Sequence, residues 1–168
     1  MEFACDVPGI THDVVLSLLR ELTPFVTNAA VVFCGNEQAG GVAQAARDGK
    51  MNAKHAGKGK PYPPPPMPGN WWPSAHETMV YGCRKGAWFG DDSPGRCNVF
   101  VCDALRFGRA EKTGHRNQKP LELIKYLVRS VTPPGGLVCD PFMGSGSTGV
   151  ACATLGLPFL GCEIDPEH

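Results

Sequence analysis

Two carboxylates, Asp140 and Glu163, stand on either side of a glycine turn, Gly144-Ser145-Gly146. The apolar run Leu137-Val138-Cys139 leads into Asp140-Pro141-Phe142-Met143, and Ser147-Thr148 opens a helix-compatible stretch ending at Leu155. A short continuous apolar run of this kind reads as a buried parallel strand. Two glycines let the backbone fold tightly and leave room for a ligand to press against it. Ser147 or Thr148 is predicted to cap the helix that follows, whose first N–H groups face the turn. Such a construction predicts a nucleotide-type cofactor site at the carboxyl end of a strand in an open α/β sheet.

Gly144-x-Gly146-x-x-Gly149 fits the dinucleotide fingerprint, and Glu163 follows Gly146 by 17 residues, close to the spacing of a ribose-binding acid. A nicotinamide dehydrogenase is therefore permitted by the glycines. Asp140 argues against it, because a carboxylate beside a pyrophosphate would bring two anions to one helix N-terminus. An acid there suits a cofactor with a cationic end and no phosphate, as in S-adenosylmethionine with its sulfonium and amino group. No Gly-Lys-Ser/Thr follows the glycines, which excludes a P-loop.

The elements that must position this turn are legible in outline. Val14, Val15, Leu18, Leu19 and Leu22 fall at helical spacing over 11–22, with Thr11 as candidate cap. Ala29 to Cys34 reads as a buried strand closed by Gly35. Residues 40–70 are rich in glycine, lysine and proline, ending in the tract from Pro61 to Pro68, and predict an extended, poorly packed loop. Thr78 to Cys83 and Asn98 to Cys102 read as two strands joined by the polar connector 84–96. Lys119 to Val131 is an amphipathic helix with Leu121, Ile124, Leu127, Val128 and Val131 as its stripe. Pro133-Pro134-Gly135-Gly136 ends it. Helix 148–155 and strand 158–164 then complete a right-handed βαβ unit with the strand ending at Asp140.

The 168 residues suffice for one domain with a real core. Sixteen basic and sixteen acidic residues cancel, so a nucleic-acid partner finds no support in the total charge. Local clusters exist: Arg47, Lys50, Lys54, Lys58 and Lys60 stand together, read equally as solvated loop charge or as phosphate contacts. Trp71-Trp72 could stack on a base or on an adenine, or anchor the core. None of the eight cysteines makes a Cys-x-x-Cys pair, so no metal is expected. Buried free thiols, with no signal peptide and no long apolar span, read as a soluble, cytoplasmic protein without membrane contact.

His115-Arg116-Asn117-Gln118-Lys119-Pro120 upstream, the Asp140-Pro141-Phe142-Met143-Gly144-Ser145-Gly146 turn, and Gly161-Cys162-Glu163-Ile164-Asp165 downstream together resemble a known family. It is that of the amino-methylating DNA methyltransferases, site-specific enzymes of restriction-modification that modify adenine N6 or cytosine N4. The motif order is similar to the permuted beta type, with the cofactor half following the catalytic half. Arg116-Asn117 departs from the Pro-Thr usual in the family.

The resemblance implies a Rossmann-like S-adenosylmethionine-dependent methyltransferase fold, mostly parallel with an antiparallel hairpin, in one domain over 1–168. Residues 40–98 would be an inserted target-recognition region and 112–168 the cofactor-binding half. Asp140 would face the amino end of the cofactor, with Pro141 and Phe142 behind it. Gly144, Ser145, Gly146 and Thr148 would form its close approach and Glu163 would meet the ribose hydroxyls. His115, Gln118, Lys119 and Pro120 would close the methionine side. Double-stranded DNA is the implied substrate, and members of the family often form homodimers. The family's catalytic tetrapeptide, Asp, Asn or Ser before Pro-Pro-aromatic, does not occur in these 168 residues, and Asp6-Val7-Pro8-Gly9 is the nearest match. No catalytic residue is therefore assigned, and the chain reads as a fragment with an incomplete sheet. The alternative is a truncated or degenerate relative that binds cofactor or DNA without turnover.

Overall fold

A computed structural model describes residues 12–59, 75–90, 97–101 and 118–165. Helix α1 (His12–Leu22) runs through a 3-10 turn (Thr23–Phe25) to strand β1 (Ala29–Cys34), helix α2 (Ala39–Asp48) and strand β2 (Asn52–Gly59). Strands β3 (His76–Cys83) and β4 (Val99–Val101) follow, then helix α3 (Leu121–Val131), strand β5 (Val138–Asp140), helix α4 (Ser147–Leu155) and strand β6 (Phe159–Gly161). Among the described residues no helix is long and apolar enough to cross a membrane.

Residues 40–59 are not the loop that their composition predicts. Ala39, Val42, Ala43, Ala45 and Ala46 of α2 are buried. Alanine is the best helix former, and its small side chain lets a helix lie close on a sheet. Strand β2 has neither β-branched nor aromatic residues. It is a strand because β3 pairs along its whole length on one edge and β4 on the other. Such tertiary pairing overrides intrinsic preference. Lys58, counted in the sequence among loop charges, is only 2% exposed. Trp71, Trp72, the proline tract, Thr11 and Asp6 to Gly9 lie outside the described residues.

The larger sheet has the order β1-β3-β2-β4. Strand β3 is antiparallel to both β1 and β2, while β2 and β4 are parallel. The two strands expected at 78–83 and 98–102 are therefore both present but are not paired with each other. Both edges of β3 are taken, so β4 joins the outer edge of β2 instead. Strands β5 and β6 form a separate parallel pair.

Alternation along β1 and β3 sends side chains to opposite faces. Val32, Cys34 and Val80 meet Val15 and Leu19 of α1 and the alanines of α2. Phe33 and Met79 meet Leu123, Ile124, Leu127 and Val128 of α3 and Ala151 and Cys152 of α4. Helices thus cover both faces of the sheet, the layering of a doubly wound α/β domain. Cys34 pairs with Thr78 and Gly59 with His76, so the first residues of β3 lie beside the carboxyl ends of β1 and β2.

Candidate cofactor-binding site

Strand β5 ends in Asp140, which is only 6% exposed. Its Oδ1 accepts the Phe142 N–H at 3.2 Å, and its Oδ2 accepts the Thr148 hydroxyl at 2.6 Å. One carboxylate thereby ties the strand end to the first turn of α4. Between them the chain reverses through Gly144 (φ 46°) and Gly146 (φ 73°), left-handed conformations that favour glycine. The Gly146 N–H closes this turn on the Met143 carbonyl at 2.8 Å. A Cβ placed on Gly146 would meet nothing within 4 Å, so the turn is open above that residue.

The expected cap is not formed. Gly146 precedes α4, and no side chain hydrogen-bonds to its first amides. Ser147 and Thr148 are already inside the helix, and their hydroxyls are turned elsewhere. Thr148 donates to Asp140, while Ser147 Oγ lies 2.9 Å from Ser145 Oγ and 3.4 Å from the Lys119 carbonyl oxygen. Gly149 has another role: a Cβ there would stand 2.9 Å from the ring of Phe159. The third glycine of the pattern lets α4 press onto β6.

Beyond β6, Glu163 turns back to the same loop. Its Oε2 accepts the Gly144 N–H at 2.7 Å, and its Oε1 accepts those of Ile164 and Asp165 at 3.0 and 3.1 Å. The parallel pairing continues past the strands, with the Cys162 N–H on the Asp140 carbonyl and the Met143 N–H on that of Cys162. Both sequence-predicted carboxylates therefore grip one loop from its two sides.

The remaining candidates fall into three groups. Gln118, Lys119 and Pro120 run up to α3, with the Pro120 carbonyl accepting the Ile124 N–H at 3.2 Å. The Ser147 contact brings this segment against the start of α4. Pro141 and Ser145 are half-buried within the turn, and Phe142 packs on the apolar cluster shared by α1, β1 and α2. His115 lies outside the described residues.

Glu77 carried no signal in the sequence. Its Oε1 takes the Lys58 ammonium at 2.7 Å and its Oε2 that of Lys119 at 2.8 Å. Burial by itself would raise the Glu77 carboxyl. The hydrogen bonds and charges of Lys119 and Lys58 outweigh burial and hold it below its ordinary value. Partners 19 and 42 residues away in the chain leave no local pattern to read. Near the turn, burial pushes up the thiol of Cys152, and the Asp140 charge adds to the effect. Among the described residues no group of three or more His, Cys, Asp or Glu is placed to hold a metal ion.

Residues 47–168 match the family model described as "DNA methylase", the N6/N4 type. Type II methyltransferase M.BglII of Bacillus subtilis is 36% identical over 97 residues, 56% of this chain and 26% of that protein. DNA adenine methyltransferase YhdJ of Escherichia coli K12 is 37% identical over 71 residues, 42% of this chain and 24% of that protein. The matched stretches thus span about a quarter of these curated relatives. The crystal structure of the M1.HpyAVI–SAM complex superposes with a TM-score of 0.82 at 26% identity, over 95% of this chain and 80% of that one.

Proposed function

The chain belongs to the N6/N4 DNA methylase family, and from that premise we propose that it serves S-adenosylmethionine-dependent methylation of DNA at an exocyclic amine, adenine N6 or cytosine N4. Its fold is the Rossmann-like α/β fold of these methyltransferases. The observation that carries the reading is the glycine turn gripped by Asp140 and Glu163.

The residues present fit this cofactor. Two left-handed glycines give a backbone that a ligand can approach closely, and the space above Gly146 is open. Asp140 and Glu163 flank the turn, and Lys119, whose carbonyl lies beside Ser147, directs its ammonium to Glu77. Two carboxylates at the turn suit a ligand bearing a sulfonium and an amino group, and oppose a pyrophosphate. When bound, the cofactor supplies a methyl group activated by the adjoining sulfonium.

The chain's own part is to bind and orient. Asp140 holds the turn closed through Thr148 and sets a negative charge at its base. Glu163 fixes Gly144 and offers a carboxylate to the ribose hydroxyls. Gly144, Ser145 and Gly146 form the floor, with Pro141 and Phe142 anchoring its base to the core. Gln118, Lys119 and Pro120, with His115 beyond the described residues, close the methionine side.

No residue of the 168 is assigned the task of accepting the amine's hydrogen bonds, because no Asp-Pro-Pro-aromatic tetrapeptide occurs among them. The base must leave the stack to reach the methyl group, at a cost of roughly a few kcal/mol. We assign cofactor binding to 112–168 and target reading to residues within 40–98, around the core elements α2, β2 and β3. Double-stranded DNA, pairing of two copies and a cytoplasmic setting complete the proposal. The six described cysteines, all free, suit a reducing compartment.

Calorimetric titration with S-adenosylmethionine, beside NAD and an Asp140→Ala variant, tests the reading. The expected result is binding near micromolar, about −8 kcal/mol, abolished by the substitution and not reproduced by NAD. A folded chain that binds NAD, or takes up no S-adenosylmethionine, overturns it.

A further inference from the structure

Lys58 on β2, Glu77 on β3 and Lys119 ahead of α3 form a chain of charges, of which cofactor binding as derived above uses Lys119 alone. Lys58 is 2% exposed and Lys119 12%, and each gives its ammonium to one oxygen of Glu77. The Lys119 Nζ also sits 5.1 Å from the centre of the Phe33 ring. Both ends of Lys119 are therefore held. Its ammonium is bound to the larger sheet, and its carbonyl receives the Ser147 hydroxyl, which in turn touches Ser145 in the glycine turn.

We propose that Glu77 is a positioning residue, which sets the glycine turn for the cofactor by fixing Lys119. Among the described residues the two sheets share no strand pairing. Glu77 and Lys119 supply a directional link between them, from the carboxyl edge of β1 and β2 to the start of α4. Buried ion pairs add little stability over well-packed apolar residues, and their best-attested use is to select one arrangement. Here the arrangement selected is the position of 118–120 against Ser147. The proposal rests on the methyltransferase reading for the identity of the ligand.

The test is a double-mutant cycle on S-adenosylmethionine affinity, using Lys119→Met, Glu77→Gln and both together, with Lys125→Met as a control on the outer pair of α3. Thermal unfolding of each variant runs alongside. Coupling through a shared network moves affinity by roughly two- to thirtyfold. The expected result is about a tenfold weaker Kd for each single variant while folded, no further loss in the double variant, and no change in the control. The amide resonances of Gly144 and Gly146 should shift in Lys119→Met and stay in place in Lys125→Met, which loss of stability alone would not produce. If Glu77→Gln does not fold, Glu77→Asp, which keeps the charge and shortens its reach to Lys119, takes its place in the cycle. A folded Lys119→Met with wild-type affinity and unmoved glycine resonances overturns the proposal, as do losses that multiply in the double variant. A wild-type chain that binds no S-adenosylmethionine is a different result: it removes the methyltransferase reading, and this proposal with it.

Discussion

The Glu163 carboxylate accepts the Gly144 N–H at 2.7 Å, so the second residue past β6 holds the turn that leaves β5. A single acid thereby links the ends of two parallel strands across the site. The same carboxylate takes the amides of Ile164 and Asp165 on its other oxygen. In Glu163→Gln one oxygen becomes an NH2 donor, and one of these two sets of amides loses its acceptor. Stability should fall by about 1–3 kcal/mol, and S-adenosylmethionine affinity by tenfold or more. Urea unfolding and titration of the same preparation check both, and an unchanged midpoint would show that Glu163 does not hold the turn.

Asp140 is buried, and Thr148 satisfies its Oδ2. Thr148→Val keeps the shape and removes the donor, leaving a buried acceptor short of a partner. A loss of about 1–3 kcal/mol is expected. Thr148→Ser keeps the hydroxyl and should recover most of it. Destabilisation by serine with none by valine would mean that the methyl group, rather than the hydrogen bond, matters at this position.

Gly149 and Phe159 should behave as a coupled pair. The added methyl of Gly149→Ala lies 2.9 Å from the ring, which is packed in the core and must shift. Overpacking of this kind costs about 1–3 kcal/mol. Phe159→Leu, destabilising on its own, should be less so in the Gly149→Ala background. Unfolding free energies of the two single variants and the double variant give the coupling directly, and simple additivity would refute the contact.

Acid should weaken the fold through Glu77. Its folded carboxyl titrates below the ordinary value of 4.5, because the lysine bonds outweigh the effect of burial. The unfolded chain therefore takes up a proton there more readily than the folded one. The stabilisation is fully present above about pH 4.5 and is lost as pH falls through the lower folded value. Comparing unfolding free energies of wild type and Lys119→Met between pH 7 and 3 isolates the part that depends on this pair. The gap between them should narrow on acidification, and a constant gap would dissociate the Lys119 contribution from the Glu77 charge.

What the sequence determined by itself was whatever a few neighbouring residues decide. The strand ending at Asp140, the turn through Gly144 and Gly146 and the helix to Leu155 rest on local backbone geometry, and the structure has all three. Helices α1 and α3 were legible because an amphipathic stripe needs no partner to be recognised. Only the tertiary structure decided whatever depends on a distant surface. Strand β2 exists because β3 and β4 supply its hydrogen bonds, and the antiparallel pairs go to β1 and β2 because β3 lies between them. Ser147 and Thr148, which local rules place at a cap, are drawn inward by Lys119 and Asp140. Lys58 passes from an apparent loop charge to a buried ammonium because Glu77 waits on the neighbouring strand. Side chains compete for partners in space, and the nearest partner in space need not be near in the chain.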